Sequence, residues 1–213
     1  MFFLPAAPPR PLTICIDPGH PSEVGRGTRG RHVTEIQVAW RVAIRLKSDL
    51  EKHGVRVVMT KRTEEEFVRN RKRAAIANAA SADLMVRLHC DSASGSGCTT
   101  YYPDQQGSSE GVRGPSRDLL QRIKPMARRF HKILAADLRV VLADNGLKGD
   151  EYTAVGRRQG ALTGSIFSKV PVVLVEMVVL TNDRDEAFVE RPAGLQKLAE
   201  ALADASLAAL EKP

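Results

Sequence analysis

Aromatic side chains are scarce in this chain: ten in 213 residues, six Phe, three Tyr and one Trp. So few rings leave little material for the stacking platforms that hold single-stranded nucleic acid, and no nucleic-acid-binding motif is present. Cysteine is scarcer still, with only Cys15, Cys90 and Cys98. Three cysteines exclude a disulfide framework; a single Cys90–Cys98 bridge is conceivable, and at least one thiol stays free. No apolar run reaches the length of a membrane-spanning helix. Residues 1–11, MFFLPAAPPRP, open apolar, lack a basic flank and are broken at once by proline. They read as a stiff lead-in, not as a complete secretory signal. Internal repeats and long low-complexity tracts are also missing.

What is present is an ordinary globular mixture, 43% apolar and 27% charged. This length buries a sizeable core without staples, so residues 12–213 read as one domain. Lysine and arginine outnumber aspartate and glutamate by 32 to 25, a net charge of +7. That balance favours an anionic partner such as nucleic acid, anionic lipid or cell-wall polymer, and does not choose among them. The excess is concentrated in Arg69 to Arg73 and in Arg122, Lys124, Arg128, Arg129 and Lys132. Both groups read first as solvated helix faces and second as a surface for adhesion to the wall.

Periodicity gives an alternation of strands and helices. Leu12 to Ile16 is a short buried strand ended by Asp-Pro-Gly, and residues 19–32 are a Gly- and Arg-rich loop. From about Thr34, apolar residues at steps of three and four (Ile36, Ala39, Val42, Ala43, Leu46, Leu50) mark a helix closed by Gly54. A strand at 55–60, a helix at 68–80 and a strand at 83–88 ending on His89 follow. A fourth strand is expected at 99–102, a mobile loop at 103–115, and a long helix at 116–142 that Pro125 could kink. Residues 143–165 look irregular, 170–180 is the most apolar strand, and 192–210 is a closing helix. The sum is an α/β domain, a mostly parallel twisted sheet flanked by helices. The segment 103–150 reads either as a lid-like insertion over the cleft or as a helix packing on the sheet.

Ligands bind beyond the carboxyl ends of the strands in such folds. The polar residues there are Asp17 to His20, His89 to Asp91, and Glu176. Of five histidines, His53 beside a helix end and His131 in a basic helix read as structural or solvated. His20 and His89 both sit at strand ends of one sheet, which points to a shared site. Glu176 is the only charge in Val170 to Leu180. A lone carboxylate in a strand apolar on both faces is costly unless paired, hydrogen-bonded or near a metal. It is expected at the end of a central parallel strand, with a perturbed pKa. A metal would need a third ligand. Glu35 is a candidate, although its spacing alone reads as a helix-dipole glutamate. Glu23 is another, since His20-Pro21-Ser22-Glu23 fits a His-x-x-Glu pattern. Two imidazoles and a carboxylate with one open position would form a catalytic zinc set, with a further carboxylate as base.

Several segments resemble the zinc-dependent N-acetylmuramoyl-L-alanine amidases of the type 3 group. They are DPGH at 17–20, Glu35 early in the next helix, VRVVMTKRT at 55–63, RKRAAIAN at 71–78, LMVRLHCDS at 84–92 and VVLVEMVVLTN at 172–182. They occur in the family's order over residues 12–210. The resemblance implies an amidase/exopeptidase-like fold, with His20, Glu35 and His89 as Zn2+ ligands and Glu176 as the catalytic carboxylate. It implies hydrolysis of the amide between N-acetylmuramic acid and L-alanine in peptidoglycan, in the periplasm or cell wall, with neither nucleic acid nor a membrane span, and leaves an activator protein open. It also suggests Asn182 as a substrate contact. The chain departs from the family pattern at Pro21-Ser22, at Arg87 where a serine is usual, at Cys90-Asp91 and at Met177-Val178-Val179. Arg87 shares strand parity with His89 and is expected to face the site and meet a stem-peptide carboxylate. Cys90 reads as a small core residue. Two other readings stay open: a zinc carboxypeptidase-like peptidase acting on wall peptides, and a non-catalytic basic wall-binding module.

Overall fold

The structure is a computed structural model that describes residues 10–211; most of the lead-in expected at 1–11 therefore lies outside the described residues. The first strand, β1 (Thr13–Pro18), is wholly buried. Helix α1 (Glu35–Lys52) begins on a capping box, in which the Thr34 hydroxyl accepts from the Gln37 amide and the Gln37 side chain answers on the Thr34 amide. That reciprocal pair satisfies two otherwise free donors and fixes where Glu35 falls, in the first turn. Gly54, just past the helix, takes φ 73°, the left-handed closure that its position in the sequence announced.

Strand β2 (Arg56–Met59), helix α2 (Asn70–Ala79), β3 (Leu84–Asp91) and β4 (Cys98–Tyr102) follow close to expectation. Beyond them the structure departs from the sequence reading. Residues 103–115 are not a simple loop but carry a hairpin, β5 (Gly107–Ser109) with β6 (Val112–Gly114). Helix α3 (Arg117–Leu138) runs on through Pro125, an exposed position where the missing N–H leaves a carbonyl to solvent. Its stripe Leu119, Ile123, Ala127, Phe130, Leu134 and Leu138 enters the main core. The stretch 143–165, expected to be irregular, holds β7 (Asp144–Gly149), a 3-10 turn at Asp150–Tyr152, α4 (Ala154–Gln159) and α5 (Thr163–Ile166). Strand β8 (Val172–Val179), an unanticipated α6 (Asp183–Glu190) and α7 (Pro192–Leu210) complete the chain.

The main sheet has the order β2-β1-β3-β8-β4-β7. Every neighbouring pair is parallel except β4 against β8. Helix α7 packs between α1 and α3, and all three lie against the sheet. Register and alternation put Asp17, Arg87, His89 and Glu176 on one face of it: Asp17 pairs with Arg87, and His89 with Glu176. Glu176 is the fifth of eight residues in β8 rather than its last, because the strand continues to Val179. The three cysteines are buried and free, so the conceivable Cys90–Cys98 bridge does not form, and Cys90 packs in the core.

Candidate metal centre

His20, Glu35 and His89 come together although 69 positions separate the first from the last. His20 follows β1 at φ 45°, a left-handed conformation unusual for a side-chain-bearing residue. Its Nδ1 bonds the Gly25 carbonyl at 3.0 Å, which turns Nε2 toward Glu35. The loop returns through Gly27 at φ 76°, where a Cβ would strike the Glu35 carboxylate and the His20 ring. Glycine is required there for two reasons at once, conformation and space. Gly19 is required for space alone under His89, whose ring a Cβ would approach to 2.6 Å.

Glu35 Oε1 lies 2.8 Å from His89 Nδ1 and 3.6 Å from His20 Nε2, and also accepts from the Cys90 amide at 3.2 Å. Its other oxygen accepts from Thr28 N at 2.6 Å. The three side chains are 11%, 3% and 13% exposed, in the order His20, Glu35, His89. Metal–ligand bonds of about 2.0–2.2 Å put the corners of a tetrahedron about 3.4 Å apart. The two distances from Glu35 Oε1 bracket that value, and all three donors lie within 4.8 Å of one another, so the set is of a size to hold a zinc-sized ion. With Nδ1 toward Glu35, the other ring nitrogen of His89, Nε2, is buried without a hydrogen-bond partner. Burial pulls the His89 pKa down against the opposing pull of Glu35, which favours the neutral ring that ligation needs. Burial pushes Glu35 up, but the hydrogen bond and charge of His89, with His20 and the Thr28 amide, bring it below its ordinary value.

Glu176 stands beside this set, in register with His89 on one side and Thr99 on the other. Its Oε2 is buried without a partner. Burial first, then repulsion from Glu35 and Asp91, raises its pKa well above the carboxylate range, with Arg87 opposing. A carboxyl in that state holds a proton readily and suits acid–base work. His20, His89 and Glu176 line an open cleft of about 200 Å³ whose far wall is Thr153 to Val155 with Leu162 and Thr163. That wall had no signal in the sequence, because it comes from the stretch read as irregular.

Arg87 lines the same cleft. Beneath it, Asp17 is fully buried between two guanidiniums, with Arg73 Nη1 at 2.6 Å, Arg87 Nε at 2.8 Å and the Thr60 hydroxyl at 2.5 Å. Burial would push Asp17 up, but the two arginine charges overcome it and hold the carboxylate below its ordinary range. Arg73 also donates to the carbonyls of Val68, Pro18 and Pro21, so it ties α2 to the loop that carries His20. Sequence reasoning noted Asp17 and the segment of Arg73 but missed this pairing.

Asn182 does not line the cleft. Its Oδ1 accepts from the Arg184 and Asp185 amides as the N-cap of α6, and its amide donates to Gly95 O. Glu23 is likewise occupied: its oxygens accept from Asn70 N at 2.9 and 3.2 Å and from Asn70 Nδ2. It points at the start of α2, so the His-x-x-Glu alternative for the third ligand is not supported. A second carboxylate–histidine group, His32 with Glu186 and Glu190, exists at the surface. Glu186 there is consumed by the His32 and Val33 amides.

A family model described as N-acetylmuramoyl-L-alanine amidase matches residues 14–207. The chain is 29% identical over 198 residues to the amidase LytC of Bacillus subtilis, covering 92% of this chain and 35% of that protein. It is 26% identical over 215 residues to the amidase AmiC of Escherichia coli, covering 91% and 51%. The chain thus spans about half or less of the length of these two relatives. Among solved structures, AmiC2 of Nostoc punctiforme superposes with a TM-score of 0.72 at 22% identity, covering 92% of this chain and 95% of that one. The CwlD amidase of Clostridioides difficile, solved with the GerS lipoprotein, gives 0.72 at 17% identity, covering 93% and 98%. At these identities the superpositions establish the fold.

Proposed function

Because the chain belongs to the N-acetylmuramoyl-L-alanine amidase family, whose model spans residues 14–207, we propose that it hydrolyses the amide joining N-acetylmuramic acid to L-alanine in peptidoglycan. The observation that carries this is the convergence of His20, Glu35 and His89 beside a buried, unpartnered Glu176 carboxyl.

In this reading His20, Glu35 and His89 hold Zn2+. When bound, zinc acidifies water toward neutrality and polarises a carbonyl oxygen. Gly25 O engages Nδ1 of His20 and leaves its Nε2 facing Glu35. Glu176 accepts the proton of the attacking water at its carboxylate. It then gives that proton to the nitrogen of the leaving L-alanine amine.

The site of action is proposed as the periplasm or cell wall, where the similar amidases' substrate resides. No helix among the described residues is long and apolar enough to cross a membrane. A protein partner belongs to the same proposal, since CwlD was solved bound to a lipoprotein. The peptidase reading loses its distinguishing feature once Glu23 is committed to α2. The binding-module reading gives no reason for all four site residues to stand together.

Zinc content and muropeptide products, measured together on the wild type and on His89→Ala, test the proposal. One zinc per chain, lost in the variant, with free peptides beginning at L-alanine, is the expected result. Zinc with cleavage elsewhere in the stem would transfer the chain to the peptidases; no metal and no products would leave a binding module.

A further inference from the structure

Arg87 lines the cleft but is no part of the metal set. It is 3% exposed. Its Nε is spent on Asp17 Oδ2 at 2.8 Å and its Nη2 on Asn70 Oδ1 at 2.5 Å. Nη1 has no protein hydrogen-bond partner among the described residues. The guanidinium lies against Gly164, where a Cβ would stand 2.6 Å from Nη1. The fork is therefore held by Asp17 and Asn70 on its bonded edges and by the α5 backbone at Nη1.

The charge count around it is uneven. Arg73 and Arg87 share the single carboxylate of Asp17 as their hydrogen-bonded counter-ion, and Asp150 and Glu176 act on Arg87 only through space. Asp150, under the far wall, turns its Oδ2 to the Leu162 amide at 3.0 Å instead. A buried guanidinium without full compensation is costly to keep, and it is rigid here. A rigid guanidinium with a spare amino edge at a cleft suits recognition of a planar carboxylate.

Position selects which carboxylate. Arg87 and His89 are two residues apart on one face of β3, about 7 Å along the strand. An extended peptide advances about 3.5 Å per residue. A substrate whose scissile carbonyl lies at the metal set can thus bring the residue just beyond L-alanine over Arg87.

We propose that Arg87 binds, through Nη1, the free α-carboxylate of the stem residue that follows L-alanine, and so discriminates stems with a carboxylate there from stems with a carboxamide. This rests on the amidase reading of the same cleft.

The test is calorimetric titration of the zinc-loaded protein with two reaction products: the tripeptide L-Ala-γ-D-Glu-L-Lys and the same peptide with its glutamate α-carboxylate as the amide. Neither needs to be cleaved. The carboxylate form should bind about tenfold tighter or more, the effect of a charge-assisted hydrogen bond. Arg87→Gln should bring the ratio close to one, and Arg87→Lys should keep part of it. Gly164→Ala keeps the charge but pushes the fork aside, and it should also shrink the ratio; it decides the matter if Arg87→Gln does not fold. Equal binding of both peptides by the wild type, or a ratio unchanged in these variants, would overturn the assignment. Peptide release from purified wall separates this from the parent reading. Release without discrimination leaves the amidase and removes the Arg87 assignment. Discrimination without release keeps the carboxylate site and removes the amidase.

Discussion

His89 and Glu176 are register partners on adjacent parallel strands, so one backbone ladder holds a candidate metal ligand beside the candidate acid–base carboxyl. Neither depends on a loop for its position. Their spacing is that of neighbouring strands, about 4.8 Å between backbones, and it changes only if the sheet does.

Glu176→Gln should bind zinc as the wild type does and lose peptide release by about a hundredfold to ten-thousandfold, the usual worth of a positioned acid–base group. Metal analysis with chromatography of the released peptides checks it. Retained turnover would remove Glu176 from the chemistry.

Glu35→Ala should lose zinc, whereas Glu23→Ala should keep it. Glu23 caps the first turn of α2 from outside the helix, so its loss should instead cost about 1 kcal/mol of stability. Paired metal analysis and urea melts of the two variants decide between the two glutamates. Chelation should lower the melting temperature of the wild type and of Glu23→Ala but not of Glu35→Ala, since a ligand that binds only the folded chain stabilises it.

Asp17→Ala should cost about 3–5 kcal/mol, because it leaves Arg73 and Arg87 facing each other in the interior. The pH sign follows from the depressed folded pKa. The contribution of Asp17 is complete above the ordinary carboxylate pKa and disappears as pH falls below it. Denaturant melts of wild type and variant should therefore converge as the solution is acidified; parallel curves would contradict the ion-pair account.

Asp150 should act with the opposite sign. Burial raises its pKa from 3.8 to about 6, against hydrogen bonds from Ser165 and the Leu162 amide. Between those values the folded chain binds more protons than the unfolded chain, so stability falls as pH rises through that window. Asp150→Asn keeps an acceptor and removes the ionisation. Relative to wild type it should gain on the order of 3 kcal/mol between pH 4 and pH 7.5. A pH-independent difference would mean that Asp150 titrates normally.

Particular residues show what was readable in advance. Thr34 marked the start of α1 and Gly54 its end, because helix ends are set by chemistry between neighbours in sequence. Glu176 stood out because a lone carboxylate among apolar strand residues demands a reason. Asn182, by contrast, suggested a substrate contact and is a helix cap, since the sequence does not show where α6 begins. The edge strand β7 was hidden because it is short, polar and half exposed, and gives no apolar period.

By itself, then, the sequence determined the alternation of strands and helices, the two histidines and the isolated glutamate, since these follow from local periodicity and from the cost of burying charge. Tertiary structure alone decided that β3 lies between β1 and β8, which brings His89 to Glu176 and Arg87 to Asp17. It also decided that Arg73, 56 residues from Asp17, completes the buried ion pair, and that Thr153 to Val155 with Leu162 and Thr163 wall the cleft. Pairing across such separations is set by sheet order and packing, which no local window of residues encodes.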